Sequence, residues 1–155
     1  MGWGIVACRG PRLSWVAHGV ITPSDKLPFA IRLLHLLEGL EAVLAEHHAE
    51  EAAVEEVFVN VNPASTLKLG QARACALLAP ARLGLPVAEY PTRLVKKAVV
   101  GTGGADKGQV TFMVRRLLPT AGNVSADAAD ALAVAIAHAH LRSAAAHSPT
   151  IRGAA

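Results

Sequence analysis

EAAVEEVFVNVNPASTLKLGQARACALLAPARLGLPVAEYP, residues 51–91, opens on a short apolar run, closes on another, and holds a helix-length stretch between them. Residues 51–59 are rich in valine and read as a strand buried in a sheet. Pro63 suits the first position of a helix over 63–83, because a residue there needs no backbone N–H partner. Residues 86–90 form the next strand, of parallel type, since a helical crossover brings the chain back in the same direction. The stretch therefore places the chain in the α/β class.

Working outward, Gly4 to Cys8 and residues 10–21 read as two strands around a turn at Gly10-Pro11. Residues 28–47 carry Ile31, Leu34, Leu37, Leu40 and Leu44 along one helical face, with Arg32, Glu38, Glu41 and Glu46 mostly opposite. Pro91 and Thr92 start a basic helix through Lys96 and Lys97, which stops near Gly101 and Gly103-Gly104. Helices over 105–118 and 126–142 follow. Strands early and a β-α-β-α order later predict a mixed sheet flanked by helices. Residues 1–142 are expected to form one domain, and 143–155 a flexible tail.

A chain of 155 residues, 52% hydrophobic and 17% charged, is long enough for one real core. No apolar run reaches the ~18 to 20 residues of a membrane span, and Met-Gly-Trp-Gly-Ile-Val lacks the basic start of a signal peptide. Cys8 and Cys75 are too few and too far apart for a disulfide framework; they are expected to be buried thiols in a reducing cytoplasm. Charge is unevenly spread. Residues 1–56 hold four Lys/Arg against eight Asp/Glu, and residues 57–155 hold eleven against four. A basic majority of the chain suits a polyanionic partner.

SADAADALAVAIAHAH, residues 125–140, sets Asp127 and Asp130 three apart, on one helical face. Acids at a helix start complement its positive end, by ~0.3–1 kcal/mol. The same pair can also converge on one point, where bare carboxylates repel and a hard divalent cation such as Mg²⁺ removes the repulsion. Both readings stand on the residues alone. Glu55 and Glu56 point to opposite faces of their strand, so one turns inward or opens on a cleft at the strand end, unless both lie in water. Carboxylates within a basic chain suggest a metal-dependent phosphodiesterase, in which two Mg²⁺ sit roughly 4 Å apart. Zinc is not expected, because His47 and His48 are adjacent, and His138 and His140 two apart, so neither pair shares a face.

The blocks VEEVFVNVNPASTLKLGQARA (54–74), PVAEYPTRLVKKAVVGTGGADKGQV (86–110) and SADAADALAVAIAHAH resemble three consecutive blocks of the RuvC family of Holliday-junction resolvases. The likeness runs from about residue 2 to residue 142, and LKLGQAR, KKAVVG and ADKGQV are its most specific parts. It implies a ribonuclease-H-like mixed sheet flanked by helices. It also implies a cytoplasmic homodimer that uses Mg²⁺, for which Mn²⁺ can substitute, to nick two symmetry-related strands of a four-way DNA junction beside RuvA and RuvB. By position, Glu55 matches the family's strand carboxylate, and Asp127 and Asp130 its C-terminal metal ligands. Phe58 matches an aromatic ring set against junction bases. Lys96 and Lys107 match basic residues near the scissile phosphate, where lysine screens charge or stabilises the transition state. Lys68, Arg73, Arg93 and Lys97 are implied backbone-phosphate contacts or ordinary surface charge.

One departure matters. The family begins with a central strand ending in Asp-x-Gly, ahead of a Gly-aromatic-Gly that here is Gly2-Trp3-Gly4, and that aspartate is its fourth metal ligand. This chain's aspartates are Asp25, Asp106, Asp127 and Asp130, none in that place. The first strand is thus expected to be missing from the chain, with its coding sequence upstream of Met1. A catalytically silent junction-binding protein and a remnant that does not fold are the alternatives. Genomic DNA read in frame upstream of Met1 is expected to encode an apolar strand ending in Asp-x-Gly; its absence there would overturn this expectation.

Overall fold

The computed structural model describes residues 1–10, 12–56 and 62–147. Phe58, expected against DNA bases, lies outside the described residues.

β1 (Gly2–Arg9) and β2 (Arg12–Val20) form an antiparallel pair, with Gly2 opposite Val20 and Arg9 opposite Arg12. Gly10 at their turn has φ +60°, a left-handed value that glycine adopts without a Cβ clash. After α1 (Phe29–Glu46) comes β3 (Ala52–Glu55); residues 57–59 of the strand expected over 51–59 lie outside the described residues. α2 (Pro63–Arg82) opens on Pro63 as expected. Its first turn is fixed by Asn62, whose side-chain oxygen accepts from the N–H groups of Ala64 and Ser65 at 3.0 and 3.3 Å. This helix returns the chain so that β4 (Val87–Tyr90) runs parallel to β3, with Val54 opposite Glu89 and Glu55 opposite Tyr90.

α3 (Thr92–Val100) ends at Gly101, φ +91°. α4 (Lys107–Leu117) begins with a capping box in which Asp106 and Gln109 satisfy each other's backbone N–H groups at 2.8 and 2.9 Å. α5 (Ala126–His147) continues past residue 142, where the apolar pattern was expected to end it. Among the described residues β1 pairs with β2 and β3 with β4, so the mixed set of strands lies in two separate ladders.

α5 joins these parts. Ala128, Ala129, Leu132, Ala133, Ile136 and Ala137 are buried, together with Val95 and Val99 of α3 and Val110 and Val114 of α4. Short side chains on α5 let β1 lie almost on its backbone. A Cβ on Gly2 would stand 2.0 Å from the Asp127 carbonyl oxygen, and one on Gly4 2.6 Å from Leu132 Cδ2. The cysteines differ from expectation in one case. Cys75 is buried, its thiol donating to the Leu33 carbonyl and its pKa raised by burial, but Cys8 is exposed beside the β1–β2 turn.

Gly4→Ala is expected to lower unfolding free energy by about 1–3 kcal/mol, because the new methyl must push Leu132 out of a fully buried position. Denaturant titration measures this. A variant as stable as the parent would show that β1 does not rest on α5 as described.

Candidate active site

Glu55 ends β3, Thr92 and Lys96 lie on α3, Lys107 opens α4, and Asp130 lies in the second turn of α5. All five side chains line one cleft of about 180 Å³, floored by Val95, Val110 and Ala133. Its polar groups come from four elements, and apolar residues beneath them fix their spacing. The Lys107 ammonium stands 3.6 Å from Asp130 Oδ2; the lysine side chain is 85% exposed and can leave without an energetic barrier from packing. A larger hollow, of about 460 Å³, lies beside Val100, Phe112 and Met113. Its one charged lining residue, Asp106, is already engaged in capping α4, so that hollow lacks chemistry.

Asp127 does not line the cleft. It is exposed in the first turn of α5, where its charge complements the positive helix end. The cap itself is Ser125, whose Oγ accepts from the Ala128 N–H at 3.4 Å. The structure therefore separates the two acids: Asp130 turns to the cleft, and Asp127 lies one turn back toward solvent. Among the described residues no three His, Cys, Asp or Glu side chains converge closely enough to hold a metal ion. The donor set that is present does fit a hard cation. Two carboxylates face one small cleft, and one of them already has a cationic group against it.

The other basic residues expected on DNA are spread around the cleft. Lys68, Arg93 and Lys97 are exposed, and Arg93 lies across Gly103, 2.5 Å from where a Cβ would be. Arg73 is different. Its Nε donates to the Glu55 carbonyl at 2.7 Å, and its Nη2 donates to Glu89 Oε2 at 2.5 Å.

Beside the cleft, on the same face of β3 and β4, lies a chain of polar contacts that the sequence did not suggest. The Tyr90 hydroxyl is 2.8 Å from His138 Nδ1, His138 Nε2 is 2.8 Å from Glu51 Oε2, and Arg142 reaches the other Glu51 oxygen. A carboxylate only accepts, so Nε2 carries the proton and Tyr90 donates to Nδ1. Burial lowers the His138 pKa and raises that of Tyr90. Arg142 offsets the Glu51 charge that would otherwise favour imidazolium. These partners lie far apart in the chain, and no local pattern signals their meeting.

A family model described as "Crossover junction endodeoxyribonuclease RuvC" matches residues 1–138. The chain is 68% identical over 141 residues to the crossover junction endodeoxyribonuclease RuvC of Caulobacter vibrioides, covering 91% of this chain and 83% of that protein. It is 60% identical over 141 residues to the protein of that name from Rhodospirillum rubrum, with the same coverage. A solved structure of T. thermophilus RuvC in complex with Holliday junction substrate superposes with a TM-score of 0.85 at 32% identity, covering 93% of this chain and 88% of that one.

A His138 whose folded pKa is depressed stabilises the fold fully above the unfolded value of 6.5, and that stabilisation is lost as pH falls below it. Thermal melts are expected at lower temperature near pH 5.5 than near pH 7.5, with a smaller difference in His138→Gln. Equal pH slopes in the two proteins would remove His138 from this role.

Proposed function

This chain belongs to the RuvC family of crossover junction endodeoxyribonucleases, with a ribonuclease-H-like fold, and we propose that it is a Mg²⁺-dependent, structure-selective endonuclease that nicks symmetrically opposed strands of Holliday junctions in DNA recombination and repair. One observation carries the reading: Glu55 and Asp130, from distant parts of the chain, share a cleft with Lys96 and Lys107.

The reaction is hydrolysis of a phosphodiester, in which charge builds on the phosphoryl oxygens as water enters and the leaving oxygen departs. Lys96 and Lys107 draw the phosphate into the cleft and offset that charge, as preorganised cations do at a transition state. In doing so Lys107 exchanges Asp130 for the phosphate, and its exposure leaves it free to move. Glu55 and Asp130 supply hard oxygen atoms that hold a cation and orient the attacking water, and Asp127 joins them if its side chain turns toward the cleft. When bound, Mg²⁺ (or Mn²⁺) supplies Lewis-acid stabilisation of the phosphoryl oxygens and makes water more acidic. Phe58, two residues beyond Glu56, is assigned to stacking on junction bases, and Lys68, Arg93 and Lys97 to backbone phosphates. Arg73 is withdrawn from that set, since its guanidinium is engaged within the fold.

Two symmetric nicks call for two copies of the site, and a homodimer supplies them. Leu67 and Leu78 of α2 and Leu34 of α1 are exposed at 64%, 51% and 44%, and large apolar side chains on two packed helices favour cover by a second copy. RuvA and RuvB are the branch-migration partners, and the cytoplasm the compartment. No described helix is long and apolar enough to cross a membrane.

The second reading is a catalytically silent junction-binding protein. It is favoured by the pairing of only two carboxylates in the cleft, among the described residues. A labelled four-way junction incubated with Mg²⁺, beside a gel shift without metal, decides between them: binding without nicking supports the silent protein.

If the nuclease reading is right, Asp130→Asn abolishes nicking, by on the order of 10²-fold or more, while junction binding without metal stays near that of the parent. Retained nicking would remove Asp130 from the site.

A further inference from the structure

We propose that Arg73 is a positioning residue for Glu55, acting through the main chain rather than on DNA; the inference rests on the nuclease reading of the cleft. Glu55 is the last residue of a four-residue strand that pairs, among the described residues, on one side alone. Its own peptide is held from the β4 side by the last ladder bond, from the Glu56 N–H to the Tyr90 carbonyl at 2.9 Å. So short a strand end is prone to fray, and fraying would move the Glu55 carboxylate directly.

Alternation along the strands settles where the restraint lies. Glu55 stands opposite Tyr90, and both turn toward α5, where Glu55 meets the cleft with Asp130 and Tyr90 meets His138. Val54 stands opposite Glu89, and both turn to the other face, toward α2. Arg73 reaches up from α2 on that rear face. One guanidinium bonds the Glu55 carbonyl and the Glu89 carboxylate at once, bridging the ends of β3 and β4. The Arg73 side chain is 19% exposed and its bond to the Glu55 carbonyl is partly buried, whereas the Glu89 carboxylate at the other end is half exposed; both bonds are charge-assisted. On the front face Tyr90, at the end of β4, is tied to His138 of α5, which also reaches Glu51 just before the start of β3. The strand end that presents Glu55 is thus bridged to β4 by Arg73 on the rear face, and its β4 neighbour Tyr90 is tied to α5 on the front.

The planar fork of Arg73 meets the two acceptors from separate nitrogens, Nε for the Glu55 carbonyl and Nη2 for the Glu89 carboxylate. Lysine keeps the charge but has a single nitrogen, so Arg73→Lys holds one acceptor and releases the other. Glu89→Gln weakens the same bridge from its far end without touching any cationic group.

The experiment uses the full chain. Arg73→Lys and Glu89→Gln are compared with the parent for junction affinity without metal, for kcat and KM of nicking with Mg²⁺, and for hydrogen exchange at the Glu56 amide. The expected result in Arg73→Lys is a kcat lower by up to about a hundredfold at unchanged KM and affinity. Glu56 exchange is expected to be faster by about tenfold, as for loss of one charge-assisted bond. Glu89→Gln moves both readouts the same way by less. Weaker junction binding with kcat retained would make Arg73 a phosphate contact and overturn the proposal, as would Glu56 exchange unchanged in both variants. If the parent itself nicks no junction, the nuclease reading fails separately, and the Glu56 amide still decides whether Arg73 holds the strand end.

Discussion

The structure depends on how closely α5 meets its neighbours. At Gly2 and Gly4 the β1 backbone lies so near α5 that no Cβ fits, and the facing side of the helix is mostly alanine. Close approach of this kind removes water from both surfaces and leaves the helix no freedom to slide or rotate, because interiors pack at crystal-like density. α5 then acts as a fixed axle. α3 and α4 pack on it through Val95, Val99, Val110 and Val114, and the β3–β4 pair meets it through Tyr90 and His138.

A cleft follows from that arrangement. The Asp130 backbone is held in place because Ala129 before it and Leu132 two residues after it are fully buried. Lys107 is placed by the capped start of α4, and Glu55 by the end of β3. Each polar group stands at an element terminus or on an exposed helix turn, while the apolar residues beneath it carry the packing. That division explains how a site with opposed charges coexists with a core in which no polar or charged residue, among the described ones, is buried.

Much of this was legible beforehand. The β-α-β reading of residues 51–91 and the later helices match the observed elements closely, because Pro63, Pro91, Gly101 and the apolar periodicities act locally. The Asp127–Asp130 spacing correctly indicated one helix, but spacing alone could not say that Ser125 takes the cap or that only Asp130 faces the cleft. Alternation alone left Glu55 and Glu56 equivalent; the family likeness singled out Glu55, and the packing of α3 and α5 on one side of the strand sets it in the cleft. Arg73 looked like any surface cation; its two internal acceptors lie 16 and 18 positions away, beyond the reach of a local pattern.

By itself, then, the sequence determined the class of the fold, the order of its elements, the family likeness and the inventory of acids and bases available for phosphodiester chemistry. Those follow from periodicity, capping and residue type, each set by neighbours within a few positions. Only the tertiary structure decided which of those groups meet. Convergence of Glu55, Lys96, Lys107 and Asp130, the fork of Arg73 across two strand ends, and the Tyr90–His138–Glu51 chain all arise from long-range packing on α5. The physical reason is that a side chain's partner across the molecule is fixed by the close packing of whole elements, which no short stretch of sequence contains.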